Sequence, residues 1–397
     1  MMKTFLLNRW AGSNTVMLSK KAIKELLETT HRYPGGFVIL EENNPKFVIL
    51  DYKTYRNIMG ENFLGDKKLK KVLVTGGAGY IGSHAGRLLV ERGYDVTTFD
   101  NLSTGHREFA QGEFIEGDLA DREFLDKVFS QGQFDAVMHF AASIQVEESV
   151  KNPLKYFQNN VVNGLNLLET MVRHNVKNIV FSSTCVVCAE DSPMPVTEEA
   201  ETKPTNPYGE TKLAFENILK TFAVAYGIKS VVLRYFNVAG ASLDQTLGLD
   251  VENPSHLIPS IFNVALGKKE SLTVFGEDYN THDGTAVRDF VHVLDLAQAH
   301  QLALEYLSRQ DNSVSEVFNV GSGRGYSVME VVNASCEITG RMVRMEVGPR
   351  RPGDREEIYA DVKKIKQVLG FEPKYSNLKT ILQTHWAFHK KRFGDSF

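Results

Sequence analysis

The chain has 397 residues, 42% hydrophobic and 24% charged, with a formal net charge of −4. This is the balance of a globular protein long enough for two or three domains, and it shows no global basic excess that would suit nucleic acid or a membrane surface. No apolar run approaches the ~18 residues of a membrane span, and the apolar core of "MMKTFLLNRW" is too short for a signal peptide; the three cysteines, Cys185, Cys188 and Cys336, fit a reducing compartment, so the cytoplasm is expected.

The first 68 residues differ from the rest, with eleven Lys and Arg against seven Asp and Glu. "TVMLSKKAIKELLETTHRY" (15–33) has a helical pattern. "FVILEENNPKFVILDY" (37–52) sets two identical apolar tetrads around an Asn-Asn-Pro turn, which predicts a hairpin. With a charged linker near 65–70, residues 1–68 read as a separate small α+β domain.

From residue 69 onward apolar strands alternate with amphipathic helices. The predicted strands are "KVLVT" (71–75), "YDVTTFD" (94–100), "EFIEGD" (113–118), "FDAVMHFAA" (134–142), "NIVFSS" (178–183) and "SVVLRYFN" (230–237). This alternation predicts an α/β, Rossmann-like, doubly wound parallel sheet over 69–237. After 237 the alternation loosens, so 238–397 is expected to form mainly a smaller mixed substrate lobe, with some segments returning to the sheet.

Between the first strand and the first helix, "VLVTGGAGYIGSH" (72–84) carries Gly76, Gly77, Gly79 and Gly82. Glycines there allow a tight turn and a close approach of backbone to a pyrophosphate, and the following helix offers free N–H groups and a positive dipole end. Asp100 closes the next strand, 18 residues after Gly82. A carboxylate in that place accepts both ribose hydroxyls of NAD and repels a 2′-phosphate.

"FSSTCVV" (181–187) puts Thr184 at the carboxyl edge of the sheet, where doubly wound folds bind ligands. In "NPYGETK" (206–212), Tyr208 and Lys212 are four apart and share a helix face. An ammonium there favours the phenolate and is expected to lower the Tyr208 pKa. A hydroxyl, a tyrosine and a lysine behind a dinucleotide cradle predict proton transfer beside a redox cofactor. No His/Cys/Asp spacing suggests a metal, and there is no hydrolase nucleophile elbow.

This combination resembles the extended short-chain dehydrogenase/reductase superfamily and, within it, the UDP-hexose 4-epimerases. Similar segments run over about 71–395: "TGGAGYIGSH", "DNLSTGH", "HFAA", "NN" at 159–160, "SST", "YGETK", "LRYFNVAGA", "HLIP", "VFGEDYNTHDGTAVRDFVHVLDLA", "FNVGSGRGYSV" and "RRPGD". The resemblance implies NAD as cofactor. Tyr80 and Ile81 then contact its phosphates, Asp100, Asn101, Leu102, Ser103, Thr104 and Gly105 surround the adenosine ribose, and Asp118 and Leu119 border adenine. Phe140, Ala141, Ala142 and Asn159 line the cofactor, and Phe236 and Asn237 touch nicotinamide and sugar phosphate. His256, Leu257, Thr273, Val274 and Phe275 hold the uridine side, Arg288 and Arg351 clamp the diphosphate, and Asp354 takes the uridine ribose.

The implied reaction interconverts UDP-galactose and UDP-glucose. Tyr208 takes the 4-hydroxyl proton, Thr184 orients that hydroxyl, hydride leaves C4 for tightly bound NAD, and the 4-keto sugar turns over before hydride returns. Cys185-Val186 stand where the related dehydratases place Asp-Glu, which disfavours dehydration. Ile358, at the place bordering the sugar 2-substituent, argues for UDP-glucose and UDP-galactose over N-acetylated sugars. UDP-N-acetylhexosamine and UDP-uronate epimerases are the alternative substrate classes.

The chain departs from the family in carrying Cys188-Ala189 for the usual Tyr-Gly, which puts local order in question, and Ile144 where some members have Lys. The C-x-x-C spacing of Cys185 and Cys188 falls on a strand exit, a poor place for a redox pair. Residues 15–60 resemble the N-terminal part of prevent-host-death type antitoxins, which pair as dimers and bind operator DNA. That sets a regulator responding to UDP-sugar or NAD as the alternative of another class, with DNA contact through residues 1–68. A homodimer is the state the epimerase resemblance implies.

Overall fold

The computed structural model describes the backbone of residues 37–41 and 44–49, and residues 69–251, 254–351 and 354–394. The helix expected over 15–33, most of the antitoxin-like stretch and the linker near 65–70 lie outside the described residues. The chain divides into two compact units, residues 1–67 and 68–397.

In the first unit, β1 (Phe37–Glu41) and β2 (Asn44–Ile49) pair antiparallel. Asn44 and Pro45, expected in the turn, belong to β2, opposite Glu41 and Leu40. The register slips between Ile39 and Leu40, beside Pro45.

The second unit is built on β3 (Lys71–Thr75), β4 (Asp95–Asp100), β5 (Glu113–Glu116), β6 (Ala136–His139), β7 (Asn178–Thr184), β8 (Lys229–Tyr235), β9 (Asn237–Ala239), β10 (Leu272–Phe275), β11 (Val287–His292), β12 (Ser315–Val320), β13 (Gly325–Ser327), β14 (Met345–Gly348) and β15 (Glu357–Ile358). Seven of them form one parallel sheet in the order β12-β8-β7-β6-β3-β4-β5. Strand order reverses at β3, so the switch point, where such sheets bind ligands, opens between β3 and β6.

Neighbouring residues of each strand feed two different cores. Val72, Val74, Val180 and Val231 pack with Leu296, Ala299 and Leu304 on one face. Leu73, Val137, Ile179 and Val232 pack with Leu125, Phe129, Leu167 and Phe215 on the other. Both faces are covered, which is why the strands read as continuous apolar runs. The helix carrying Tyr208 and Lys212, Pro207–Tyr226, starts where Asn206 accepts from Gly209 N and Pro207 opens the first turn, and it stops at Gly227, whose φ is +70°.

The remaining strands form the second lobe. β11 pairs with β9, β13 and β15, and β10 pairs with β14. A third core there joins Ile258, Phe262, Val274, Phe290, Val331 and Ile381. β12 is contributed from beyond residue 238 yet closes the edge of the seven-stranded sheet against β8. Among the described residues, no helix is long and apolar enough to cross a membrane.

Candidate active site

The glycine turn has no room for side chains. Gly76 has a φ of +71°, and a Cβ there would lie 2.5 Å from Ala141 N. A Cβ on Gly82 would lie 2.3 Å from the Gly76 carbonyl oxygen. The helix Tyr80–Glu91 begins at Gly79 with no side-chain cap, so its first N–H groups are left for an anion. β6 was expected to run to residue 142 but ends at His139, because Phe140 N and Ala141 N turn to donate to Thr75 O at 2.9 and 3.1 Å. This turn brings Phe140, Ala141 and Ala142 alongside Gly76, and the Phe140 ring sits 4.7 Å from that of His300.

Tyr80 does not aim its side chain at the cradle. Its hydroxyl donates to Gly240 O at 2.6 Å, so what Tyr80 and Ile81 offer a phosphate is backbone N–H. Asp100 ends β4 nearly buried and accepts from Ala78 N at 3.0 Å and Leu102 N at 2.8 Å. Burial raises its carboxyl, and these two N–H groups oppose the rise. Each carboxylate oxygen has a second lone pair for a ribose hydroxyl. Leu102 takes φ 56° to make this turn. Asn101 donates to Asp118 at 2.7 Å and accepts from Ser103 N, which closes the loop toward Leu119. Ser103 and Thr104 are exposed, and Gly105 packs against Ala78 and Asp100, where a Cβ would lie 3.0 Å from both. The cradle, the uncapped helix and the placed carboxylate fit a dinucleotide.

Thr184 and Tyr208 lie together at the carboxyl edge of the sheet, where the Thr184 hydroxyl favours the Tyr208 phenolate. Lys212, one turn below Tyr208, donates to Ser182 O at 2.8 Å and lies 4.9 Å from the Phe181 ring centre and 6.0 Å from that of Tyr208. The expectation that Lys212 lowers the Tyr208 pKa needs correction. Burial raises the Tyr208 hydroxyl well above its ordinary range, with Tyr235 adding to the rise and the Thr184 hydroxyl opposing it. Burial also lowers Lys212 to about 7, against the pull of Glu216. Desolvation disfavours both charged forms and outweighs their mutual help.

On the substrate side, Phe236 is buried and Asn237 opens β9 beside Phe290 of β11. His256 is exposed at the start of the helix Leu257–Ala265, and Leu257 packs on the third core. Thr273, Val274 and Phe275 lie on β10, and the Arg351 guanidinium stacks 3.9 Å above the Phe275 ring. Arg288 and Asp354, given separate duties by the resemblance, are bonded to each other, and Arg288 also donates to Arg355 O at 2.8 Å. Ile358 is buried beside Arg288 in the β11–β15 pairing.

Two features escaped the sequence reading. The first is Asn160, buried in the π-turn Gln158–Val162. It accepts from Ser143 N at 2.8 Å and donates to Thr211 Oγ1 at 3.0 Å, while Asn159 donates to Ser143 Oγ at 3.1 Å. Asn160 therefore ties the 140s loop to the Tyr208 helix; the "NN" pair was the signal, read on its first member only. The second is how the Cys188-Ala189 segment is held: Arg355 donates to Cys188 O at 2.5 Å, and Ala189 N donates to Glu201 O at 2.8 Å. Burial pushes the Cys185 thiol up to about 12 and raises Cys188 too, so neither is a ready thiolate. His106, Glu108 and Asp250 also converge, but Arg392 already sits among them, 2.5 Å from Asp250 and 3.3 Å from Glu108.

Comparison with known proteins gives the following. Residues 72–321 match the model of the NAD dependent epimerase/dehydratase family. A UDP-glucose 4-epimerase of Halalkalibacterium halodurans is 46% identical over 321 residues, covering 81% of this chain and 96% of its own. The crystal structure of UDP-glucose 4-epimerase from Brucella ovis in complex with NAD superposes with a TM-score of 0.78 at 43% identity, over 81% of this chain and 98% of that one. The Bifidobacterium longum UDP-glucose 4-epimerase in complex with NAD+ and UDP superposes with a TM-score of 0.76 at 38% identity, over 81% and 98%.

Proposed function

The chain belongs to the NAD dependent epimerase/dehydratase family, and on that premise we propose that it is a UDP-glucose 4-epimerase interconverting UDP-galactose and UDP-glucose through a transient 4-keto sugar. The observation that carries the reading is the meeting of Thr184, Tyr208 and Lys212 at the sheet edge, beside the Gly76–Gly82 turn. Residues 69–237 serve as the cofactor domain and 238–397 mainly as the substrate lobe.

NAD, held by the Gly76–Gly82 turn and Asp100, supplies reversible two-electron chemistry at the sugar C4 and a cationic ring. Tyr208 removes the 4-hydroxyl proton and returns it after the sugar has turned. Thr184 holds that hydroxyl in line with the phenol oxygen. Lys212 puts positive charge under the phenolate that burial disfavours. Arg288 and Arg351 suit the diphosphate, since guanidinium matches phosphate geometry. Firm grip on UDP and loose grip on the hexose let the sugar present either face. Asp354, His256 and the Thr273–Phe275 strand serve the uridine side, and Ile358 limits the sugar 2-substituent.

The N-acetylhexosamine, uronate and DNA-binding regulator readings are not favoured beside the curated relatives. Val146, Val150, Leu154 and Phe157 form an exposed apolar row over two consecutive short helices, which supports a second copy of this chain as partner. Three free cysteines support the cytoplasm. The test is to incubate the purified full chain with UDP-galactose, without added NAD, and follow UDP-glucose. Turnover in wild type that Tyr208→Phe abolishes is expected; no turnover, with or without added NAD, would sink the reading.

A further inference from the structure

Glu216 is fully buried, one turn beyond Lys212 and two beyond Tyr208 on the same helix face. It accepts from Ser183 Oγ at 2.5 Å and from the Arg234 guanidinium at 3.1 Å (Nε) and 2.6 Å (Nη2). Arg234, on β8, is 2% exposed. Three consecutive residues of β7 thus meet three successive turns of one helix. Thr184 faces Tyr208, Ser182 O accepts from Lys212, and Ser183 donates to Glu216.

A buried ion pair is a poor source of net stability, because desolving two charges offsets their attraction and an apolar pair of the same volume does as well or better. The charges around this one point elsewhere. Arg234 and Lys212 are both cations that face the Glu216 carboxylate. His139 faces Lys212 from β6, and burial lowers it to about 3, so it stays neutral. The Cys188 thiol, beside Arg234, is raised by burial and is neutral as well, and Glu198 faces Arg234 from the other side. Remove Glu216 and two desolvated cations are left opposing each other.

We propose that Glu216, paired with Arg234, is a positioning residue for the proton-transfer site, holding Lys212 as a buried cation beneath Tyr208 and tying the helix to β7. The inference rests on the epimerase reading for its kinetic arm only. Glu216 is the group that opposes the burial-driven lowering of Lys212. Without it, Lys212 gives up its proton at lower pH and leaves Tyr208 without the charge that favours its phenolate.

The experiment titrates lysine 13Cε signals of the full-length protein, with Lys212→Arg used only to assign the Lys212 signal. In Glu216→Gln the Lys212 midpoint is expected to fall by about one pH unit or more. The kcat for UDP-galactose is expected to fall about threefold more at about pH 8.5 than at about pH 6.5, with KM unchanged. An unmoved midpoint, or an equal loss of kcat at every pH, would overturn the proposal and leave the pair a purely structural clamp. If Glu216→Gln does not fold, Arg234→Met decides: removing the competing cation must move the midpoint up, and no movement or a downward one overturns it. A wild type that does not turn over UDP-galactose sinks the epimerase reading, and the NMR midpoint still decides this one.

Discussion

The hydroxyl of Tyr80 donates a 2.6 Å hydrogen bond to the carbonyl of Gly240, so the first residue of the cradle helix is fastened to the segment leading out of β9. Tyr80→Phe removes one donor and leaves a carbonyl unpaired. A loss of about 1–3 kcal/mol is expected in urea unfolding. Because the Tyr80 side chain is turned to Gly240, bound NAD, read by absorbance after denaturation, should remain near one per chain. Loss of NAD with unchanged stability would place the phenol itself at the cofactor.

Arg288 and Asp354 hold each other before any ligand arrives. Binding a diphosphate must share or break that pair. Asp354→Asn removes the charge that competes for Arg288 and weakens the proposed acceptor for the uridine ribose, so its KM for UDP-galactose should rise only about threefold. Arg288→Met removes the charge and should raise KM about tenfold or more with a smaller effect on kcat. Steady-state kinetics of the two variants checks the order; a larger KM effect from Asp354→Asn would contradict it.

Gly82→Ala places a methyl 2.3 Å from the Gly76 oxygen, a backbone atom with nowhere to go. The turn must open, and the purified variant is expected to come without NAD and to bind added NAD at least about tenfold more weakly. Retention of NAD at the wild-type level would mean that the cradle lies elsewhere.

Among the described residues, six histidines are buried and lowered by desolvation: His84, His300 and His389 to about 4, and His139, His292 and His385 to about 3. Unfolded, each takes a proton near pH 6.5. Between that value and 3–4 the unfolded chain therefore binds more protons, and stability falls as pH falls. The slope approaches about 1.4 kcal/mol per pH unit for each residue. Buried Asp100 and Asp289, whose carboxyls are raised, offset part of this. Circular dichroism across pH should show unfolding near about pH 5, given a total stability of about 5–15 kcal/mol. A flat profile from pH 7 to about 4.5 would rule this out.

Leu154 is 77% exposed and Val150 62%, in the apolar row assigned to a second copy. Leu154→Asp is expected to convert the proposed dimer to a monomer in light scattering while Tm changes by about 2 °C or less. A wild type that is already monomeric would remove the dimer.

Most of the sheet was readable because buried parallel strands are short apolar runs between glycine-rich turns, and KVLVT matches β3 residue for residue. The glycine spacing and the Tyr208–Lys212 interval were equally local signals. What could not be read depends on pairings between distant residues. Tyr80 finds Gly240 and Asp354 finds Arg288 only in three dimensions. The sign of the Tyr208 shift depends on burial, with the electrostatic effect of Tyr235 adding to it, and no interval in the sequence carries that. Asn160 was hidden because two adjacent asparagines look alike until one is buried.

β12 lies against β8, but the chain makes it only after β9, β10 and β11 of the second lobe. On the ribosome, the row of N–H and C=O groups along β8 therefore stays open until Val320 has emerged. An open parallel edge invites pairing with other nascent chains. A fragment cut at residue 237 should accordingly be made as insoluble protein, because the strand that covers β8 is missing from it.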